Sequence, residues 1–213
     1  MNALAKPVSK LPDVGTTIFT VMSALASEQG ALNLSQGFPD FDGPEPLLQA
    51  VNEHMRSGQN QYPPMAGVAS LREAIAEKVL DLYGLACDAD TEITVTAGAT
   101  EALFCAIAAV VHAGDEVIVL DPAYDSYDPV IRLQGAVPVH VSLMAPAYRI
   151  DWDRIEAAIT ANTRLLILNS PHNPTGMVMD ESDIAALSAL CAKYDIYLLS
   201  LIHISEPTRR KRI

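Results

Sequence analysis

From about residue 92 onward, short apolar runs alternate with longer stretches in which apolar side chains recur every three or four positions. Residues 92–96 (EITVT), 116–120 (EVIVL), 137–142 (VPVHVS), 164–169 (RLLILN) and 196–199 (IYLL) read as strands, and Pro138 marks the third as an edge or a strand start. Residues 99–112, 124–133, 151–160 and 180–194 read as helices; the last carries Ile184, Leu187, Leu190 and Cys191 at helical spacing. Strands apolar on both faces, separated by helices of this length, predict a three-layer α/β/α fold around a mostly parallel sheet. Ligands of such sheets sit outside the carboxyl ends of the strands, so the chemistry is expected there.

The first 90 residues follow another pattern. Residues 16–28 and 68–83 read as helices, the second with Leu71, Ile75, Val79 and Leu82 on one face. Between them, 33–46 and 58–67 are rich in Gly, Pro and Asn, and loops of that length and composition commonly hold a fixed shape for function.

Composition narrows the classes of partner. The chain has 213 residues, half of them hydrophobic and 19% charged, which is a globular balance. With 14 Lys+Arg against 26 Asp+Glu and a net charge of −12, nucleic acid and anionic membranes are not expected as partners. No apolar run reaches membrane-spanning length. Cys87, Cys105 and Cys191 form no CxxC pair and the five histidines show no ligand spacing, so neither a metal nor a disulfide framework is expected. Cys105 and Cys191 read as buried free thiols, suited to a reducing cytoplasm.

Three motifs lie just beyond predicted strands. In Thr96-Ala97-Gly98-Ala99-Thr100 a strand turns into a helix through small residues, leaving backbone N–H groups directed at whatever lies above, as a phosphate requires. The same turn is also consistent with a plain helix start capped by Thr96 or Thr100. In Asp121-Pro122-Ala123-Tyr124, the aromatic ring is placed either to lie on a planar ligand or to cover the sheet edge. In Asn169-Ser170-Pro171-His172-Asn173-Pro174-Thr175-Gly176 two prolines present the polar groups rigidly. The Asn173 carboxamide can donate to an anionic ring oxygen. His172 is either a proton shuttle or a partly buried imidazole satisfied by backbone. A phosphate cradle, an aromatic lid and a ring-oxygen donor together describe a flat phosphorylated heteroaromatic, and pyridoxal phosphate fits. The glycine fingerprint of nicotinamide enzymes is absent.

NLSQGFPDFDGP, NQYPPMAGVASLREAIAEK, TVTAGATEALF, DPAYDSY and NSPHNPTG together resemble the fold-type-I, pyridoxal-phosphate-dependent class I/II aminotransferases, in the branch that holds the methionine and kynurenine aminotransferases. The resemblance covers roughly residues 10–200. It implies that Gly98, Ala99 and Thr100 hold the phosphate of pyridoxal 5′-phosphate, that Tyr124 stacks on its ring and that Asn173 bonds its phenolate oxygen. It further implies that the Gly37 backbone meets the substrate carboxylate, and that Ile18, Phe19 and Phe38 shape an apolar side-chain pocket. Tyr62 would reach the phosphate in a neighbouring subunit, so a homodimer is expected. The implied activity moves an amino group from methionine, or another hydrophobic or aromatic amino acid, to a 2-oxo acid. A carbon–sulfur β-lyase of the same fold remains open, as does a noncatalytic cofactor-binding or dimerisation module.

The resemblance also exposes what is missing. Such enzymes need a Schiff-base lysine, an acid facing the pyridine nitrogen and an arginine for the substrate carboxylate. None of the lysines (6, 10, 78, 193, 211) lies in a matching segment. The chain as written is therefore expected to be inactive alone. Residues 1–45 read as an N-terminal arm with substrate-side loops, and 46–200 as an incomplete cofactor-binding large domain. Residues 201–213 (LIHISEPTRRKRI), with four of the 14 basic side chains in the last five positions, match no family pattern and read as an artefactual tail.

Overall fold

The computed structural model describes residues 8–37, 39 and 41–201; the expectations placed on Lys6, Phe38 and 202–213 lie outside them. Seven helices and four strands are present among the described residues: α1 (Ile18–Glu28), α2 (Glu45–Arg56), α3 (Ala69–Tyr83), α4 (Ala99–Val110), β1 (Glu116–Asp121), α5 (Tyr127–Leu133), β2 (Val137–Ser142), α6 (Trp152–Ala157), β3 (Thr163–Asn169), α7 (Glu181–Tyr194) and β4 (Tyr197–Leu201). They fall into two compact units. One comprises the described residues up to Asp13, Glu77–Ala86 and those from Thr96 on; the other comprises Val14–Ala76 and Cys87–Val95.

The first unit is the predicted layered structure. Its sheet has the order β2-β1-β3-β4, every neighbouring pair parallel, with Val119 opposite His140 and Asn169 opposite Leu201. Successive side chains of a strand point to opposite faces, so each strand feeds two cores. Ile118, Leu120, Leu166 and Leu168 pack with Ile155 of α6 and Leu187 and Leu190 of α7 on one face. Val117, Val119, Leu165 and Ile167 pack with Leu103 and Ile107 of α4 and Val130 and Ile131 of α5 on the other. Pro138 is tolerated because β2 is at the sheet edge.

This order sets the site. The chain leaves β1 for α5 on one face and leaves β3 for α7 on the other. Adjacent parallel strands whose exits diverge leave a crevice between them at their carboxyl ends. α4 returns to β1 through a short connection, so it runs against the strands and its first turn lies at that same end.

Several expectations need correction. Residues 92–96 form no strand: a β-branched run becomes one only beside a partner backbone, and Val95 N–H finds a single loop carbonyl, that of Ala66, at 3.0 Å. A Cβ on the neighbouring Gly67 would stand 2.7 Å from Val95 Cγ2, so this contact requires glycine. Cys105 is exposed because α4 buries the stripe of Leu103 and Ile107, and Cys191 is half-buried. On α7 the buried stripe is Asp183, Leu187 and Leu190, which leaves Ile184 at 50% exposure. On α3, Arg72 and Val79 are buried while Leu71 and Leu82 are exposed. Arg72 tolerates burial because its guanidinium donates to the carbonyls of Gly67 and Ala89 and to Asp90.

α2 was not anticipated. It begins with Glu45 in its first turn and Pro46 at its second position, both favourable at a helix start.

Candidate active site

The phosphate-cradle residues head α4. Gly98 is its N-cap, with φ of +92° and no atom within 4 Å of where a Cβ would stand; the backbone demands glycine and the space above is open. No N-cap side chain bonds this helix start. Thr96 Oγ1 donates to the Gly98 carbonyl at 3.0 Å, and so does not serve as a cap. Ala97 N–H is taken by Glu101 Oε2 at 2.5 Å and Gly98 N–H by the Thr96 carbonyl at 2.8 Å. The N–H groups of Ala99 and Thr100, in the first turn, have no intrahelical acceptor and are the donors available to an anion.

Tyr124 follows β1 in the loop that leads into α5. It is half-buried, and its ring meets that of Tyr127 edge-on with centroids 5.7 Å apart and planes at 77°. Tyr127 is buried, its hydroxyl has no hydrogen-bond partner, and burial pushes its pKa up to about 12, with the charge of Tyr124 adding to the effect.

The third motif follows β3. His172 is buried, with Nδ1 2.8 Å from Thr175 Oγ1, its N–H donating to the Met177 carbonyl at 2.7 Å, and its own carbonyl accepting from Gly176 N–H at 2.6 Å. Burial holds its imidazole below the ordinary pKa, against the opposing pull of a hydrogen bond with the Leu120 carbonyl. It is thus a structural histidine satisfied by a hydroxyl as well as by backbone. Asn173 is half-buried in the turn that His172 anchors.

One residue of this end was not assigned a role from sequence. Asn169, the last residue of β3, is 2% exposed, and its Nδ2 has no hydrogen-bond partner. A buried amide left unpaired costs roughly 1–3 kcal/mol, and a polar ligand at the strand ends would recover it. The signal was legible: an amide closing a strand otherwise apolar on both faces. Open space over Gly98, free first-turn N–H groups, a half-exposed aromatic and two amides at one end of the sheet fit a flat phosphorylated ring.

Lys193 does not join that end. Lys193, in the last turn of α7, precedes β4 and so lies at the amino ends of the strands, where its Nζ binds Glu156 Oε1 at 2.6 Å.

The remaining predicted residues are in the second unit. Ile18, exposed, and Phe19, half-buried, open α1 behind the Thr17 cap. Gly37 is exposed at the end of a loop tied to the same helix: Asn33 Nδ2 donates to Ser23 Oγ at 3.0 Å, and Ser35 Oγ donates to Asn33 Oδ1 at 2.6 Å. The loop of Gly37 and the helix of Ile18 and Phe19 are thus brought together. Tyr62 is wholly exposed.

A family profile described as aminotransferase class I and II matches residues 29–200. The methionine aminotransferase of Escherichia coli K12 is 55% identical over 194 residues, which is 91% of this chain and 50% of that protein. A probable N-succinyldiaminopimelate aminotransferase of Mycobacterium tuberculosis is 44% identical over 195 residues, covering 91% of this chain and 49% of its own length. A solved Escherichia coli structure, described as identifying a methionine aminotransferase function, matches with a TM-score of 0.88 and 54% identity over 92% of this chain and 52% of that one. The chain spans about half the length of the relatives it matches. By sequence and by fold, it belongs to the class I and II aminotransferases, a family that works with pyridoxal 5′-phosphate.

Proposed function

We propose that the protein represented by this chain transfers the amino group of methionine, or of another hydrophobic or aromatic amino acid, to a 2-oxo acid. The observation that carries this reading is the open, uncapped start of α4 beside Tyr124, Asn169 and Asn173, in a chain 55% identical to a methionine aminotransferase.

In this reading the Ala99 and Thr100 N–H groups hold the cofactor phosphate, with Gly98 letting it approach the backbone. The Tyr124 ring lies on the heteroaromatic plane, and Asn173 donates to the ring oxygen. When bound, the cofactor supplies an electron sink for the bond broken at the substrate Cα. The Gly37 backbone receives the substrate carboxylate, and Ile18 and Phe19 offer apolar surface to its side chain. Tyr62 serves the site of a second copy. Its full exposure, together with exposed Leu47, Leu48, Val51 and Met55 on α2, supports a homodimer. Three free cysteines suit the reducing cytoplasm.

Transamination needs a Schiff-base lysine, and Lys193 is held elsewhere by Glu156. The 213-residue chain alone is therefore expected to bind pyridoxal 5′-phosphate saturably, without the absorption of lysine-bound cofactor and without turnover. Fluorescence titration and an assay with methionine and a 2-oxo acid test both points. A chain that binds no cofactor, or that, given a cysteine thioether and no amino acceptor, releases thiol, pyruvate and ammonia, overturns the reading.

A further inference from the structure

The loop that carries Tyr124 is closed at both ends by one side chain. His140, on the edge strand β2, places Nδ1 3.0 Å from Asp121 Oδ1, at the last residue of β1, and Nε2 3.2 Å from Asp128 Oδ1, in the first turn of α5. Carboxylate oxygens only accept hydrogen bonds, and a neutral imidazole has one N–H. Both contacts are satisfied together only by the imidazolium.

We propose that His140 is a pH-dependent positioning residue: charged, it clasps the ends of the 121–128 loop and holds the Tyr124 ring in place; neutral, it releases one end. This rests on the reading of Tyr124 as the ring that meets the cofactor.

The charged surroundings are consistent. β1 contributes Asp121 and α5 contributes Asp128. On the same helix, Arg132 pairs with Asp13 at 2.6 Å and its charge also acts on Asp128, which meets the histidine at 3.2 Å. Partial burial is the largest single influence on His140 and disfavours its charge, but the Asp121 hydrogen bond and the charges of Asp128 and Asp121 together outweigh it, holding the imidazole above its ordinary value. The clasp is therefore closed in acid and opens as pH rises through the His140 pKa.

The test follows the His140 imidazole and Tyr124 ring resonances of the chain by NMR from about pH 5 to about pH 9, spanning the ordinary imidazole value of about 6.5, with pyridoxal 5′-phosphate affinity measured alongside. His140 is expected to titrate above about 6.5, with the Tyr124 signals moving at the same midpoint. Cofactor affinity is expected to fall roughly two- to fivefold across it, the scale of a half-exposed ion pair. Asp128→Asn should lower that midpoint, and His140→Gln should abolish the Tyr124 response while keeping the native Trp152 fluorescence. A Tyr124 ring indifferent to the titration of His140, or a response that persists in His140→Gln, overturns the clasp. A chain that binds no cofactor at any pH overturns the functional reading instead, and the Tyr124 response still decides the clasp.

Discussion

Glu101 reaches back across the turn that begins α4 and accepts a hydrogen bond from the Ala97 backbone N–H at 2.5 Å. The bond falls one residue outside a capping box: the carboxylate at the third helical position takes the N–H of the residue before the Gly98 N-cap, whose own N–H is held by the Thr96 carbonyl. It braces the turn from outside and leaves the N–H groups of Ala99 and Thr100 to an anion.

Removing that brace should weaken the helix start. Glu101→Ala is expected to lower stability by roughly 1 kcal/mol, the scale of a lost cap, and Glu101→Gln by less because its amide oxygen still accepts. Urea unfolding of the two variants beside the parent chain measures the difference.

In the proposed reading, Tyr124 offers the cofactor a face rather than a hydroxyl. Tyr124→Phe should retain pyridoxal 5′-phosphate affinity within about twofold, whereas Tyr124→Ala should lose about tenfold, since ring stacking contributes roughly 0.5–1.5 kcal/mol beyond area burial. Equilibrium dialysis with the free cofactor reads both values. Equal losses in the two variants would argue against the stacking role.

Asp183 joins α7 to α6. Its carboxylate accepts from Trp152 Nε1 at 3.0 Å and from the Asp180 backbone N–H at 3.1 Å, completing a capping box. Asp183→Ala leaves both donors unpaired in a mostly buried place and should cost roughly 1–3 kcal/mol. Trp152 is the single tryptophan, so its emission maximum reports the lost contact directly.

The buried His172 gives stability a definite pH dependence. In the unfolded chain its imidazole takes a proton near pH ~6.5; in the fold it does so only at lower pH, because burial disfavours the charge. As pH falls through that window the unfolded state gains a proton that the folded state lacks, so stability drops. His172→Gln should remove this contribution, making the parent-to-variant difference in urea midpoint smaller at about pH 5.5 than at about pH 7.5.

The turns of the candidate site could be read before the fold was known. Gly98, Tyr124 and Asn173 were legible because each sits in a turn whose chemistry is local: a positive φ, a proline-led bend, a rigid double-proline loop. The run at 92–96 misled for the opposite reason. β-Branched residues fit a pleated surface, but whether a neighbouring strand is present depends on residues far along the chain.

Asn169 and His140 mark the same boundary from the other side. Asn169 was visible as the end of an apolar strand, yet its unpaired, buried amide emerges only when β4 pairs beside it. His140 was one histidine without ligand spacing, until the parallel pairing of β1 with β2 set it between Asp121 and Asp128.

By itself, the sequence determined the alternation of strands and helices, the parallel sheet and the end of it where the candidate motifs gather, because hydrophobic period and turn residues act over a few positions. Tertiary structure alone decided which polar groups are left unpaired and which charges meet. Those outcomes depend on strand register and helix placement, which bring together side chains nineteen and more residues apart, as with His140 and Asp121.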